Sequence, residues 1–370
     1  MSTTPAALRA MRIAAQGIGA PAGDPTATVA RMTAVQGQDL GQVLWAIGVR
    51  TPGATRDDVR AAFDRGGLVR SWPMRGTLHA IRPDDLRLLL SLTATRTIRS
   101  TARRAAELGI DDGLLGRARQ TITTALSGGR SLDRDGVLAV WRAAGIDTGG
   151  GRGYHLLFRL SQEGLVAWGP TARVGQELVL LDEWAPATGP VPERDEALGA
   201  VVTGYLRGRG PATDVDAAAW TKLPLGDVRR GLAVAGDAVE DLGDGLVALA
   251  DRPALGGVST GHLLPGFDEY LLGYADRSAQ LPEAHAGRVV PGGNGVFLPM
   301  VVVRGVVVGT WARAERSAGG GAVAAGSVRV TVRPFEPLGA PAVRALEAAV
   351  ARYARWLGVP AELVVDPPAG

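Results

Sequence analysis

Apolar residues recur along the chain in a repeated order of helical and alternating stretches. In DLGQVLWAIGVR, Val43, Leu44 and Ile47 share one helical face, and Asp39 and Gln42 have the spacing of a capping box. In TRDDVRAAFDRGGLVRSWPMRGTLHAI, Thr55 and Asp58 repeat that spacing. Val59, Ala62 and Phe63 form the next apolar face, and Gly66 and Gly67 stop the helix. LVRSW then alternates as a strand, PMRG turns, and TLHAI reads as the returning strand. Two short helices and a hairpin are the parts of a winged helix-turn-helix.

The order comes back twice. DRDGVLAVWRAAG carries Val137, Leu138 and Trp141 on one face. GYHLLFRLSQEGLVAWGP is a helix ending at Gly164 and then a strand, with QELVLLDEW returning. After Pro190 and Pro192, a helix through Glu196 to Leu206 precedes shorter ones in TDVDAAAW and LGDVRRGLAVAG, then strands around Gly243-Asp244-Gly245. The last third changes character. GVFLPMVVVRGVVVGTWAR reads as two strands joined at Arg304-Gly305, SVRVTVRPF as another, and a helix from Pro341 carries Val343, Leu346, Val350, Tyr353 and Leu357 before Gly358.

The pattern therefore predicts an α+β chain of three tandem winged helix-turn-helix units and a C-terminal β-rich domain. The expected divisions are N-terminal helices and the first unit over 1–125, the second over 126–190, the third over 191–253, and the β-rich domain with its terminal helix over 254–370. The glycine-rich stretch 318–326 reads either as a hairpin tip that probes a ligand or as a linker.

Composition narrows the chemistry. The 370 residues, 46% of them hydrophobic and 21% charged, suit a soluble globular chain of two or three domains. With no cysteine, disulfides, thiolate metal sites and a cysteine nucleophile are excluded. His79, His155, His262 and His285 are far apart and lack metal-ligand spacing, so neither metal nor cofactor is expected. MSTTPAALRA shows no secretory pattern, and no apolar run reaches the roughly 18 residues of a membrane span. A cytoplasmic protein without a membrane partner is the expectation.

The net charge is only +3, yet of 40 basic residues a single one, Lys222, is lysine. Codon bias accounts for part of that in a chain rich in Ala, Gly and Val, but arginine also suits phosphate, to which its planar fork donates two hydrogen bonds. In TATRTIRSTARRAAELG, Arg96, Arg99 and Arg103 fall on one helical face with Arg104 adjacent, while Ile98, Ala102 and Ala105 face inward. That face is either solvated or set against phosphate. Arg70 and Arg75 lie on the first wing and its turn, where a wing meets the nucleic-acid backbone. His79, on the returning strand, reads equally as a packed side chain or a contact.

Ahead of the first of these helices stands VQGQDL. In an extended segment Gln36 and Gln38 point the same way, whereas in a helix they would diverge by about 200°. An amide donates and accepts hydrogen bonds but does not titrate, so it orients water well and removes protons poorly. Such a pair fits a leaving group that is already activated. A purine alkylated at N7 is cationic and departs with little acid catalysis. Asp39 reads as the helix cap, or as a carboxylate facing developing positive charge.

VRSWPMRGTLHAI, GPATDVDAAAWTKL and LLPGFDEYLLGYADR, in that order, resemble the AlkZ/YcaQ superfamily of winged-helix DNA glycosylases over roughly residues 8–358. Gln36-Gly37-Gln38 most resembles its AlkZ branch, which unhooks interstrand crosslinks and confers azinomycin resistance. The resemblance implies a C-shaped arrangement of the three units and makes Gln36 and Gln38 the catalytic pair, with Asp39 and His79 as possible support. Gly37 departs from the family's usual aliphatic residue. The implied activity is hydrolysis of the N-glycosidic bond of N7-alkylated purines in double-stranded DNA, bulky adducts and azinomycin B crosslinks included, by a monomeric, monofunctional enzyme that gives self-resistance. Lys222, in the third unit, suggests no lyase step. The alternative is a non-catalytic winged-helix DNA-binding protein or transcriptional regulator, the commoner use of such units.

Overall fold

The structure is a computed structural model that describes residues 3–19, 23–252, 260–293, 295–315 and 326–368. It opens with helix α1 (Pro5–Ala15), α2 (Pro25–Met32), strand β1 (Ala34–Gln36), α3 (Leu40–Gly48), α4 (Arg56–Asp64) and the hairpin β2 (Val69–Met74) and β3 (Thr77–Ile81). Asp39 caps α3 by accepting the N–H of Gln42 at 2.8 Å. Gln42 does not return the bond; its side-chain amide oxygen accepts from Gly266 N–H at 2.8 Å instead. Thr55 and Asp58 complete both halves of their capping box.

Next come α5 (Pro83–Ser100), α6 (Ala102–Glu107), α7 (Asp112–Leu126), α8 (Arg134–Ala143), α9 (Arg152–Gln162), β4 (Val166–Thr171), β5 (Gln176–Leu180) and α10 (Leu181–Trp184). The arginine-bearing helix is interrupted at Thr101, whose hydroxyl bonds to the carbonyls of Thr97 and Ile98. Arg96 and Arg99 therefore stand on α5 and Arg103 and Arg104 on α6, a change from the single face expected of them. Ala102 is exposed rather than inward.

The chain continues with α11 (Arg194–Arg209), α12 (Asp214–Thr221), α13 (Leu225–Ala235) and the short hairpin β6 (Val239–Asp241) and β7 (Val247–Leu249). Leu132 bridges Leu178 ahead of α8, and Ala212 bridges Val247 ahead of α12. The order helix, bridging residue or strand, two helices, hairpin thus occurs three times. Then follow β8 (Gly261–Leu264), α14 (Glu269–Leu272), α15 (Ala286–Val289), β9 (Met300–Val303), β10 (Val306–Glu315), β11 (Val328–Pro334), α16 (Ala340–Leu357) and β12 (Ala361–Val365).

The strands form two five-stranded sheets, β1-β3-β2-β4-β5 and β12-β11-β10-β9-β8, with β6-β7 apart. The first two hairpins are therefore one sheet, joined where Arg70 lies opposite Trp168. Arg304 and Gly305, at φ 50° and 78°, make the tight turn expected between β9 and β10. β12, which alternation in the sequence did not single out, runs parallel to β11 once Gly358 has ended α16. The 318–326 stretch lies, apart from Gly326, outside the described residues.

Three apolar clusters hold this frame together. In one, Val43, Leu44 and Phe63 pack with Val301, Trp311, Tyr353 and Trp356 of the C-terminal sheet and helix. Another joins the first hairpin and Leu89 of α5 to Val202, Tyr205 and Trp220. The third surrounds Trp72, Trp141 and Leu157. These cores run across the borders expected at 125/126, 190/191 and 253/254. Val43 to Gly48 are all buried, so α3 is covered on every side and needs partners beyond its own unit. No helix among the described residues is long and apolar enough to cross a membrane.

Candidate active site

β1 is an edge strand, and Gln36 ends it. Backbone groups alternate in direction along an antiparallel strand. Gly37 N–H turns to β3 and meets the carbonyl of Leu78 at 2.7 Å. The N–H of Gln36 turns the other way and donates to the Glu269 carboxylate at 2.9 Å.

The amide of Gln36 is also fixed. Its oxygen accepts from the Thr77 hydroxyl at 3.0 Å and from Arg75 Nη2 at 3.2 Å. The oxygen of Gln38 accepts the N–H of Leu78 at 3.2 Å. A guanidinium and a backbone N–H only donate, so both amides must point oxygen inward and NH₂ away. Two neighbouring residues at the start of β3 thus hold both glutamines; Gln36 is buried and Gln38 exposed. Gly37 between them is buried, and a Cβ there would stand 3.0 Å from Ala80 N and 3.2 Å from Arg70 Cδ. Close approach, not an unusual φ, is what glycine permits here.

Arg70 fills that space. It is 8% exposed and donates to the carbonyl of Gly37 at 3.0 Å, under the Trp168 ring. Burial pulls its pKa down to about 10, against the pull of Asp39. This corrects the reading of Arg70 as a wing contact: the merged sheet turns it inward. Arg75, in the β2–β3 turn at φ 59°, faces inward as well. It bonds to Gln36, to His79 Nε2 at 3.0 Å and to the Leu272 carbonyl at 3.2 Å, and lies 3.7 Å from Glu269.

His79 is fully buried beneath the pair, opposite Gln36 in the ladder. Its Nδ1 donates to the Thr77 carbonyl at 2.9 Å, which leaves Nε2 to accept from Arg75. Burial, and then the charge of Arg75, push its pKa down to about 3. The neutral imidazole braces Arg75 and has no solvent exposure.

Glu269 is the residue that sequence reasoning passed over. It has no solvent exposure and accepts from Arg209 Nη2 at 2.8 Å and Trp220 Nε1 at 2.8 Å besides Gln36. Burial alone would raise its pKa; the guanidinium groups of Arg209 and then Arg75 reverse this and hold it at about 2. Arg209 also donates to the carbonyls of Met32 and Ala34, each at 2.8 Å, and lies 4.0 Å over the Trp220 ring. One buried ion pair therefore ties β1 to α11, α12 and α14. A signal was available in LLPGFDEYLLGY: two adjacent acids inside an apolar run must be buried, and a buried charge needs a partner. Asp268 has one in Arg50 at 2.7 Å.

Asp39 is exposed beside Gln38, and one of its oxygens caps α3. The other makes no hydrogen bond to the described residues. Arg96 and Arg99 are exposed on α5 and line a cavity together with Arg75 and Lys222. Lys222 thus lies nearer the site than its place in the third unit suggested. Arg103 and Arg104 lie outside that cavity and share Glu107, at 3.6 and 3.1 Å. No cluster of histidine and carboxylate side chains among the described residues could hold a metal ion.

A family model for AlkZ-like DNA glycosylases matches residues 29–356. The chain belongs to the AlkZ-like DNA glycosylase family. A curated relative, the interstrand DNA cross-link repair glycosylase of Streptomyces sahachiroi, is 27% identical over 92% of this chain and 93% of its own. The solved structure of Streptomyces sahachiroi DNA glycosylase AlkZ superposes with a TM-score of 0.78 at 25% identity, covering 98% of this chain and 100% of that one. Membership makes the chain a DNA glycosylase with a mixed α/β fold, and sets aside the reading as a transcriptional regulator.

Proposed function

We propose that this enzyme hydrolyses the N-glycosidic bond of N7-alkylated purines in double-stranded DNA, with Gln36 and Gln38 as its catalytic pair. One observation carries the reading: both amide oxygens accept hydrogen bonds from the β2–β3 turn and β3, which leaves the two NH₂ groups available to a ligand near the exposed carboxylate of Asp39. The three runs of two helices and a hairpin serve as winged-helix units, arranged in a C around the duplex. The divisions at 125, 190 and 253 mark their order along the chain.

The division of labour follows from the groups available. Amide N–H donors hold an oxygen acceptor, that of the attacking water or of the deoxyribose. They cannot take the proton. The second oxygen of Asp39 accepts it, and its negative charge stabilises the oxocarbenium character at C1′. No strong acid is required at the base, because a cationic purine leaves without protonation. His79, neutral and buried, supplies support through Arg75 alone.

Gln38 and Asp39 stand at the surface just past the end of the edge strand β1. A bulky adduct can approach them without entering an enclosed base pocket, which full flipping would require. On that ground, and because the relative from Streptomyces sahachiroi is named for cross-link repair, the substrates include crosslinked purines such as those left by azinomycin B. Self-resistance to such an agent is the corresponding role. The test is release of free base from a duplex carrying N7-alkylguanine. Wild type should release it well above the spontaneous rate, and Gln36→Ala or Gln38→Ala should fall toward that rate while binding DNA normally. Wild-type release at the spontaneous rate would sink the proposal.

A further inference from the structure

A cavity of about 700 Å³ lies between the second half of α5, the β2–β3 turn and the link between α12 and α13. Arg75, Arg96, Arg99, Arg194 and Lys222 line it with a single carboxylate, Asp227. That carboxylate is already matched, since Arg194 lies 2.7 Å from it. Arg96, Arg99 and Lys222 are exposed and make no ion pair with the described residues. Three cations from two different helices thus line one groove with no ion-pair partner among the described residues. Such an arrangement is self-repelling unless an anion enters.

The groove also has a fixed relation to the glutamines. Arg75 and Gly76 form part of its wall, and the residues that follow them, Thr77 and Leu78, hold Gln36 and Gln38. The turn thus lines the cationic groove with Arg75 and Gly76, and through Arg75, Thr77 and Leu78 it contacts the amide pair. Lys222 ends α12 in a left-handed conformation, at φ 61°, which takes the chain off the helix axis at the groove.

We infer that this groove is a phosphodiester-binding site in which Arg96, Arg99 and Lys222 grip the DNA backbone beside the nucleotide presented to Gln36 and Gln38. The ligand class is a polyanionic strand of duplex DNA. The inference rests on the proposed role of the glutamines for its orientation, but not for its test.

The experiment measures binding of an undamaged duplex by fluorescence anisotropy across a salt series. Each phosphate contact contributes about 0.9 to the slope of log K against log salt. The triple variant Arg96→Gln, Arg99→Gln, Lys222→Asn should flatten that slope by about two to three and weaken binding at least about tenfold at 0.1 M salt. Asparagine is chosen at 222 because it tolerates positive φ. A double variant, Arg103→Gln with Arg104→Gln, removes nearby charge outside the groove and should change the slope by less than about one. An unchanged slope in the triple variant overturns the inference, as does an equal loss per charge in the control pair. Failure of the wild type to release base would leave the binding result standing on its own.

Discussion

The backbone N–H of Gln36 donates to the buried carboxylate of Glu269, 233 residues further along the chain, at 2.9 Å. Edge strands leave such groups unpaired. Here a carboxylate already locked by Arg209 and Trp220 supplies the partner, and the position of the first glutamine depends on the third helical unit and on the start of the C-terminal region.

Glu269→Gln tests that dependence. It removes the charge that balances Arg209 and Arg75, and breaking a buried pair in this way costs about 3–5 kcal/mol. Urea denaturation should show a loss of that order. Base release should fall below wild type even at temperatures where the variant is fully folded, because glutamine offers one accepting oxygen in place of two and cannot serve both the Gln36 N–H and the Arg209 and Trp220 donors as the carboxylate does. A variant that keeps both stability and rate would show that the carboxylate positions nothing.

Acid should destabilise the protein in two overlapping windows. Glu269 is held at about 2 in the folded state against an ordinary 4.5. Its contribution is complete above 4.5 and is lost as pH falls toward 2. His79 is held at about 3 against an ordinary 6.5, so below 6.5 the unfolded chain takes up a proton that the folded one refuses. Stability should therefore decline from about pH 6.5 downward, with one proton contributing a slope of ~1.4 kcal/mol per pH unit. His79→Gln should flatten the curve between pH 4.5 and 6.5 by up to that slope, measured by denaturant titration at each pH.

Gly37→Ala should destabilise by about 1–3 kcal/mol, the scale of overpacking, because its Cβ would press on Ala80 N and Arg70 Cδ. Shortening the flexible partner relieves only part of this. In the double variant with Arg70→Ala, the cost of the alanine should shrink but not vanish, since the Ala80 contact is backbone. A double-mutant cycle read by thermal and chemical denaturation gives the coupling.

Gln38→Glu separates donor from acceptor roles. A carboxylate can still accept the N–H of Leu78, but it replaces the outward NH₂ with an anionic oxygen. If donation matters, base release should fall about 10- to 100-fold, as expected for losing one hydrogen bond in the transition state. Activity at or above wild type in single-turnover assays would reassign Gln38 as an acceptor.

Much of this chain is legible from local pattern. Thr55 with Asp58, Asp39 before Leu40, the Arg304-Gly305 turn and the glycine after α16 all specify their elements through neighbours within a few residues. So does the alternation of β11, with Val328, Val330 and Val332 inward. The extended stretch that ends at Gln36, and the cap that follows at Asp39, belong to the same class. These features depend on short-range hydrogen bonds and on periodicity, which a sequence carries directly.

What periodicity could not supply was the direction of single charged side chains. Arg70 and Arg75 sit on a hairpin that would be a free wing if it stood alone. The pairing of β2 with β4 covers it, and both guanidinium groups turn to the glutamine segment. Thr101 interrupts what reads as one basic face, because its hydroxyl competes for the carbonyls of Thr97 and Ile98. Glu269, Arg209, Trp220 and Gln36 become neighbours only when elements 49 to 233 residues apart are packed together. Sequence by itself determined the elements that caps, turns and alternation mark, their order and the amide pair, but neither β12 nor the break at Thr101. The tertiary structure decided which way the amides face, because only long-range partners that donate hydrogen bonds could orient them.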